Sequence, residues 1–321
     1  MALAIRFHDQ LSQTSTTSFR DETLRGLAAT PKWASPKFFY DRRGSELFEQ
    51  ITEQPEYYPT RTEVAILTQA ASEIAEIAGP DADLIEFGSG ASRKVRLLLE
   101  AMRPTSYLGI DISDDFLRSS TQRLAADYPW LDVHALSADF CDELHLPKGF
   151  DSRCPLAFFP GSSIGNFTPA QAQQFLRRLH SLLPVGGGLL VGVDLVKDRA
   201  VLEAAYNDAA GVTAAFNLNL LERIRNELAS DIDPARFTHK AIFNAVQSRI
   251  EMHLASVEEQ TVIIEGRRFH FEAGETLHTE NSYKYSLESF AALARLARFD
   301  SIQQWTDPQQ LFSVHYLKRT G

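Results

Sequence analysis

Short apolar segments alternate with helical segments between residues 61 and 196, and this alternation restricts the fold more than any other feature of the sequence. The capping-box pair Thr60 and Glu63 predicts the start of the first helix. Short strands that alternate with helices of about 10–15 residues are typical of βαβ units and a parallel sheet. The sequence therefore predicts an α/β core. The apolar segments are DLIEF (83–87), YLGI (107–110), VHAL (133–136), LAFF (156–159) and LLVGV (189–193).

The alternation ends near residue 197, where a different pattern begins. Two helical segments are followed by the period-two segments RIEMHLASV, QTVIIE and RRFHFE, which together predict an antiparallel sheet. Near the end of the chain, SIQQW and LFSVHYL predict an antiparallel hairpin that returns to the core.

These two patterns divide the chain into two domains, as its length of 321 residues also suggests. We expect a Rossmann-like core of residues 61–196 and 286–321, which ends in the antiparallel hairpin. We expect the second domain to be discontinuous and α+β, built from residues 1–60 and 197–285.

The charge and composition exclude several classes of protein. The net charge is −10, so the chain is a poor non-specific binder of nucleic acid or of anionic membranes. It contains no apolar run of about 18 residues, and its N-terminus does not resemble a signal peptide. The two cysteines, Cys141 and Cys154, exclude a disulfide framework, and we expect both in the core. This use of cysteine predicts a cytoplasmic protein. The nine histidines show no metal-ligand spacing, so we expect no metal site.

A glycine turn joins the first strand of the core to the following helix in the segment EFGSGASRK. Glycines such as Gly88 let a ligand approach the backbone, and Asp111 ends the next strand, where an acid meets ribose hydroxyls in nucleotide-binding folds. The third glycine of the dinucleotide fingerprint is replaced by Lys94 or its neighbours, and the acidic residue Glu86 precedes the turn. Both differences favour S-adenosylmethionine over NAD.

Polar residues also follow the third and fourth strands, where ligands bind in such sheets. Asp139 and Phe140 come after the third strand, and a carboxylate beside an aromatic ring suits adenine. Asn166 comes after the fourth strand and can both donate and accept hydrogen bonds. An alternative for Asn166 is a capping role at the helix that begins near Thr168.

The chain resembles the histidine-specific N-methyltransferase family, whose best-known members form hercynine in ergothioneine biosynthesis. The resemblance runs from about residue 30 to the C-terminus, and several of its motifs lie outside the generic methyltransferase core. It implies a class I methyltransferase core, a second domain and S-adenosylmethionine as the cofactor. The matching segments include PKFFYDRRGSELFEQIT, EYYPTRTE, EFGSGASRK, GSSIGNFTP, YNDAAGVTAAFN and TENSYK.

The resemblance also implies roles for individual residues. Glu280 and Ser282 are two apart on an extended segment, so their side chains point the same way and suit the two nitrogens of an imidazole. The implied cofactor contacts are Gly88, Lys94, Asp111, Asp139 and Phe140. The implied amino-acid contacts are Tyr57, Asn166, Tyr206, Glu280 and Ser282, with Tyr40, Thr213 and Met252 as pocket neighbours.

The expected reaction is successive methylation of the α-amine of L-histidine to the trimethylated betaine hercynine. Desolvation lowers the pKa of an amine, so no strong general base is required. We expect Asn166, with the region of Tyr40 and Thr213, to orient the amine.

The same chemistry on another aromatic amino acid, such as tryptophan, is the nearest alternative, and Glu280 favours imidazole over indole. An NAD-dependent oxidoreductase and a non-catalytic amino-acid-binding protein are more distant alternatives. The expected partner is a small molecule, neither nucleic acid nor membrane, and the sequence predicts no oligomeric state.

Overall fold

The computed structural model describes residues 5–11, 18–150 and 154–321. Residues 1–4 and 12–17 of the predicted segment 1–60 lie outside the described residues. The signal-peptide prediction falls partly on these residues. The chain divides into two units. The first unit comprises Met1–Ser15, Pro59–Val196 and Tyr283–Gly321, and the second comprises Thr16–Tyr58 and Lys197–Ser282.

The strands form three sheets within the residues that the structure describes. One sheet belongs to the first unit and two belong to the second. In chain order the strands are β1 (Arg6–Asp9), β2 (Lys32–Trp33), β3 (Ala82–Phe87), β4 (Ser106–Asp111), β5 (Asp132–Ser137), β6 (Cys154–Phe159), β7 (Gly188–Asp194), β8 (Phe237–Asn244), β9 (Arg249–Ser256), β10 (Gln260–Ile264), β11 (Arg267–Phe271), β12 (Thr276–Tyr283), β13 (Phe299–Thr306) and β14 (Phe312–Arg319).

In the first unit the helices separate the strands. In the second unit they lie within residues 19–52 and in the first half of Lys197–Ser282. Short 3₁₀ turns at Pro36–Phe39, Ser163–Asn166 and Pro234–Arg236 complete the described secondary structure. In chain order the α-helices are α1 (Phe19–Ala28), α2 (Arg42–Thr52), α3 (Tyr58–Ala78), α4 (Val95–Met102), α5 (Asp114–Asp127), α6 (Pro169–Leu182), α7 (Arg199–Ala205), α8 (Val212–Glu227) and α9 (Leu287–Leu296).

The sheet of the first unit has the strand order β1-β5-β4-β3-β6-β7-β14-β13. All pairs from β1 to β7 are parallel, whereas β14 pairs antiparallel with both β7 and β13. The order reverses between β3 and β6, as in doubly wound sheets. The predicted Rossmann-like core with a terminal antiparallel hairpin is therefore confirmed.

Side chains of the central strands alternate between two apolar layers of the first unit. On β3, Leu84 packs into one layer and Ile85 into the other, and Phe158 and Phe159 of β6 divide in the same way. All four are fully buried. Burial of each such side chain contributes about 1.5–3 kcal/mol relative to exposure. The two-sided burial explains why these strands are continuous apolar runs rather than alternating ones.

Three local predictions for the first unit are wrong. The helix α3 begins at Tyr58 rather than Thr60, because Pro59 is well suited to a first helical turn, and Glu63 therefore lies inside the helix. Both cysteines, Cys141 and Cys154, are exposed rather than buried in the core. The strand β1 pairs with the outer edge of β5 in the first unit, although residues 1–60 were expected in the second domain. An open strand edge presents unpaired backbone groups that such a segment satisfies.

The second unit contains a four-stranded sheet of order β2-β12-β9-β8 and a separate two-stranded sheet of β10 and β11. The pair β8 and β9 is antiparallel, and β2 pairs parallel with β12. The expected single antiparallel sheet of RIEMHLASV, QTVIIE and RRFHFE is therefore wrong. The latter two segments form their own hairpin around Glu265 and Gly266, which both have positive φ, as two-residue hairpin turns require.

None of the helices within the described parts of the chain is long and apolar enough to cross a membrane.

Candidate functional site

The glycine turn after β3 is held by backbone and carboxylate hydrogen bonds in the first unit. Gly88 and Gly90 have φ values of 66° and 48°, which favour glycine. The Gly88 amide donates to the Ile110 carbonyl at 2.9 Å, and the Gly90 amide donates to Asp111 Oδ2 at 2.9 Å. Burial raises the pKa of Asp111, although backbone amides, including that of Ser113, partly offset this effect. The turn and the end of β4 are therefore brought together as the sequence predicted.

Phe140 lies beside the same turn. A Cβ atom added to Gly88 would lie 3.9 Å from Phe140 Cε1. The Phe140 ring packs edge-on against Phe87 and Phe159, with centroid distances of 6.3 and 5.6 Å. Asp139 is buried after β5, and its Oδ1 accepts the Cys141 amide at 2.9 Å. An aromatic face and a buried carboxylate thus follow β5 on the side of the sheet where the glycine turn lies.

Lys94 lies at the start of α4 and contacts a residue that sequence reasoning assigned to a helix cap. Its Nζ donates to Glu63 Oε2 at 2.5 Å. The Glu63 carboxylate is fully buried and also accepts the Gly161 amide, at 3.0 Å on Oε1 and 2.9 Å on Oε2. One signal could have identified Glu63, because it lies three and four residues before Ile66 and Leu67 on the apolar face of α3.

Glu86 does not supply the anion expected from the sequence. The Tyr107 hydroxyl donates to Glu86 Oε2 at 2.6 Å beneath the glycine turn. Burial raises the pKa of Glu86 to about 8, although the hydrogen bond from Tyr107 and the charge of Lys94 lower it. The carboxyl group is therefore largely protonated at pH 7, and the argument for a cationic ligand from Glu86 is wrong.

The loop that carries Asn166 follows β6 and is held from two sides within the first unit. Ser162 has φ 57°, and its Oγ accepts the Asp194 amide at 2.9 Å. Asp194 in turn forms a buried ion pair with Lys284 at 2.7 Å. A Cβ atom on Gly165 would lie 2.7 Å from the Tyr283 carbonyl oxygen, so this loop requires glycine there.

Asn166 itself is half-buried at the end of the 3₁₀ turn Ser163–Asn166. The helix α6 is capped by Thr168, whose side chain accepts the Gln171 amide while the Gln171 side chain accepts the Thr168 amide. The alternative role of Asn166 as the cap of this helix is therefore excluded. Its amide is placed by the loop rather than by the helix.

Aromatic side chains dominate the candidate residues of the second unit. The Tyr206 hydroxyl donates to Ser282 Oγ at 2.8 Å, and the Tyr57 and Tyr206 rings meet edge-on at 6.2 Å. Phe48 links Tyr57 to Tyr40, with centroid distances of 6.5 and 5.7 Å. The structure therefore brings Tyr40, Tyr57, Tyr206 and Ser282 into one cluster.

Glu280 and Ser282 lie on the same face of β12, as their spacing predicted, and both are buried. Met252 is buried on the neighbouring strand β9, where its carbonyl accepts Thr279 Oγ1 at 3.1 Å. Thr213 is placed through its backbone, since its amide donates to Asp208 Oδ1 at 2.8 Å. Burial opposes ionisation of Asp208, but hydrogen bonds from Thr213 and Val212 outweigh it and lower the pKa.

A buried hydrogen-bond chain that sequence reasoning missed supports Tyr206. Thr279 Oγ1 donates to Asn217 Oδ1 at 2.8 Å, and Asn217 Nδ2 lies 2.9 Å from His239 Nδ1. His239 Nε2 lies 2.8 Å from the Tyr206 carbonyl, so it carries the proton and Nδ1 accepts. Burial lowers the pKa of His239, which keeps the ring neutral. The signal for this chain is Asn217, a polar residue on the buried face of α8.

The residues of the first unit fit S-adenosylmethionine. The left-handed glycines leave the turn without side chains, and added Cβ atoms on Gly88 and Gly161 would approach Phe140 and Lys94. The carboxylates and the aromatic ring suit the adenosine part of the cofactor, and the ammonium group suits the carboxylate of its amino-acid part. Among the described residues, no group of three or more His, Cys, Asp or Glu side chains could hold a metal ion.

Comparisons with known proteins agree with this arrangement. The profile of a family described as histidine-specific, SAM-dependent methyltransferases matches residues 19–319. Histidine N-alpha-methyltransferase of Mycolicibacterium smegmatis is 43% identical over 309 residues, which are 94% of this chain and 95% of the relative. The protein of the same name from Mycobacterium tuberculosis is 40% identical and covers 90% and 91%. Ergothioneine biosynthesis protein 1 of Neurospora crassa is 32% identical over 90% of this chain and 33% of its own length.

Proposed function

The chain belongs to the family of histidine-specific, S-adenosylmethionine-dependent methyltransferases, and from this premise we propose that it trimethylates the α-amine of L-histidine to hercynine. The cofactor and the transferase class follow from the family. The position of the methylated nitrogen is supported by the names of the two mycobacterial relatives. A role in ergothioneine biosynthesis is supported by the name of the Neurospora relative.

The observation that carries the proposal is the buried polar face of β12 beside the tyrosine cluster. Tyr206 and Ser282 are joined by a hydrogen bond of 2.8 Å, and Glu280 lies two residues before Ser282 on the same face. The Glu280 carboxylate suits one imidazole nitrogen as an acceptor, and Ser282, on the same face of β12, suits the other nitrogen.

The remaining candidate residues have complementary roles in this proposal. Tyr57 and Asn166 supply neutral donors for the carboxylate of histidine, and Tyr206 would give up its hydrogen bond to Ser282 Oγ to act as a third donor. On the cofactor side, Asp111 accepts from ribose hydroxyls, Asp139 and Phe140 bind adenine, and Gly88 and Lys94 contact the amino-acid end. The pocket neighbour Met252 adds an apolar wall.

The reaction needs an unprotonated amine held in line with the methyl group. When bound, S-adenosylmethionine would supply an electrophilic methyl group on its sulfonium sulfur, with a neutral thioether as the leaving group. Asn166 is the proposed orienting residue for the amine, and Tyr40 and Thr213 are proposed to share this role. Orientation of the reacting atoms lowers the barrier because translational and rotational freedom is lost on binding rather than at the transition state. Desolvation lowers the pKa of the amine, so its proton passes to solvent water and no dedicated protein base is needed. Neutral neighbours leave space for added methyl groups.

The test is substitution of Glu280 by alanine and, as a matched control, by glutamine. A hydrogen bond to a charged group contributes about 1.5–3 kcal/mol, so Glu280→Ala should raise the KM for histidine roughly 10- to 100-fold. The Kd for S-adenosylmethionine should stay within about twofold of wild type, and Glu280→Gln should fall between wild type and alanine. Mass spectrometry of products from histidine and from tryptophan completes the test. An unchanged KM for histidine, or methylation of tryptophan in preference, would contradict the proposal.

The proposed location is the cytoplasm. Cys141 and Cys154 are exposed and neither forms a disulfide, which supports a reducing compartment.

A further inference from the structure

Glu63 is the centre of a buried cluster within the first unit that no assigned role explains. Its carboxylate is fully buried in the apolar face of α3. A buried charge destabilises a protein unless hydrogen bonds and an opposite charge compensate it. Lys94 Nζ, at 2.5 Å, and the Gly161 amide, at 2.9 and 3.0 Å, provide that compensation. The carboxylate therefore joins α3, the start of α4 and the loop after β6.

The neighbouring strand β7 is adapted to this carboxylate. A Cβ atom on Gly192 would lie 2.0 Å from Glu63 Oε1 and 2.9 Å from its Cδ, closer than any real contact. Gly192 has no positive φ that would require glycine for conformational reasons. The absence of a side chain at Gly192 therefore makes room for Glu63, which indicates that the position of the carboxylate is specified by more than one element.

Of the carboxyl groups of Glu63, Glu86 and Asp111, that of Glu63 is the one that contacts the Lys94 ammonium group directly. Glu86 is close enough for Lys94 and Glu63 to affect its pKa, but that pKa of about 8 leaves it largely neutral at pH 7. Asp111 is hydrogen-bonded to the amides of Gly90 and Ser113. Glu63 is thus the carboxylate in direct contact with Lys94, and the pair contributes almost no net charge to the cofactor side of the first unit.

We propose that Glu63 is a positioning residue for the cofactor, which neutralises and orients the Lys94 ammonium group and anchors the Gly161 turn. This inference rests on the proposed placement of Lys94 in the cofactor site. The reason for neutralisation is the charge of the cofactor itself. S-adenosylmethionine carries a sulfonium cation that S-adenosylhomocysteine lacks, and an uncompensated ammonium group at low dielectric would repel it. One of the three Nζ donors is used by Glu63, and the others suit the carboxylate of the bound cofactor.

The test compares the binding of the two forms of the cofactor by calorimetry in the absence of histidine. Glu63→Gln keeps the volume and an acceptor for the Gly161 amide but removes the charge. The Kd for S-adenosylmethionine should rise about 10-fold, whereas the Kd for S-adenosylhomocysteine should rise less than about threefold, because only the former is repelled. A merely structural role for Glu63 would raise both Kd values equally, and that result would overturn the inference.

Lys94 provides the matched controls. The double substitution Glu63→Gln with Lys94→Met removes both charges and should return the ratio of the two Kd values towards that of wild type. Lys94→Met alone leaves the Glu63 carboxylate uncompensated, so the ratio should shift in the opposite direction, in favour of S-adenosylmethionine. This single variant keeps the test decisive if Glu63→Gln does not fold. If the ratio of the two Kd values shifted in the same direction in both single variants, the inference would be contradicted.

Failure of this inference is distinguishable from failure of the proposed function. The binding experiment contains no amino-acid substrate, so an enzyme that methylates an amino acid other than histidine would still show the shift in Kd ratio. Conversely, Glu280→Ala could raise the KM for histidine as expected while Glu63→Gln raised both cofactor Kd values equally. That result would overturn only the role of Glu63.

Discussion

The candidate residues of the first unit are held mainly by the backbone, and those of the second unit mainly by side chains. In the first unit, left-handed glycines, strand ends and amide donors place Gly88 and Asp111, and a single buried carboxylate anchors Lys94. In the second unit, ring contacts and hydroxyl hydrogen bonds place Tyr57, Tyr206 and Ser282.

This difference corresponds to two recognition problems. A cofactor with a constant structure is suited by a rigid turn at the ends of parallel strands, which many α/β proteins use. An amino-acid side chain is distinguished by a few polar groups in an otherwise aromatic enclosure, because unpaired buried polar groups penalise the wrong ligand. The two units should therefore respond differently to small changes of volume, charge and hydrogen bonding.

The largest expected effect comes from added volume. Gly192→Ala places a methyl group against the Glu63 carboxylate, and overpacking of this kind should lower the free energy of unfolding by about 3 kcal/mol. Gly266→Ala in the second unit is the matched control, because Gly266 has φ 73° but no atom within 4 Å of an added Cβ. Its cost should be about 1 kcal/mol from the left-handed backbone alone. Equal losses in urea unfolding would show that the cluster around Glu63 is not rigid.

An effect of similar total size should appear in the pH dependence of stability. The pKa of Glu86 rises from 4.5 in the unfolded chain to about 8 in the folded protein, mainly through burial. The folded state therefore binds the extra proton between these values, and stability falls as the pH rises from about 4.5 to about 8. The slope attributable to Glu86 approaches about 1.4 kcal/mol per pH unit.

Glu86→Gln isolates this contribution because glutamine resembles the protonated acid. Chemical unfolding of wild type and variant between pH 5 and 8 should show the variant gaining stability relative to wild type as the pH rises. Parallel pH profiles would mean that Glu86 is ionised in the folded protein, and the first unit would then present a second anion beside Lys94.

The smallest expected effect is the loss of one hydroxyl in the second unit. Tyr206→Phe removes the hydrogen bond to Ser282 Oγ, and a net contribution of about 1 kcal/mol corresponds to a roughly fivefold rise in the KM for histidine. The Kd for S-adenosylmethionine should not change. Ser282→Ala and the double variant complete a cycle, in which the two substitutions should be less than additive. Additive effects would indicate that the two residues bind substrate independently.

The fold of the first unit was largely predictable because its signals are local. Buried strands such as residues 83–87 are continuous apolar runs, and the alternation with helices specifies parallel pairing. The strands QTVIIE and RRFHFE were predicted, but their separation from RIEMHLASV was not, because strand partners in antiparallel sheets depend on packing between distant segments. The strand β1 was missed for the same reason, since its partner β5 lies more than a hundred residues later.

The candidate site residues also differ in how far local sequence predicts them. Gly88, Asp111, Asp139 and Phe140 could be proposed from position, since each follows a strand of a parallel sheet. The second-unit residues, among them Tyr206 and Glu280, could be proposed only through family resemblance, because nothing in their local sequence separates them from ordinary surface or core residues.

Local sequence was thus sufficient for the α/β class, the glycine turn and the family, because each depends on short-range periodicity or on contiguous motifs. Only the tertiary structure placed the Glu63 carboxylate against Lys94 and Gly161 and buried Glu86 so that its pKa is raised. Burial and charge compensation are properties of atoms that come together from distant parts of the chain. A carboxylate on the apolar face of a helix signals that such a partner exists, and the fold decides which residue provides it.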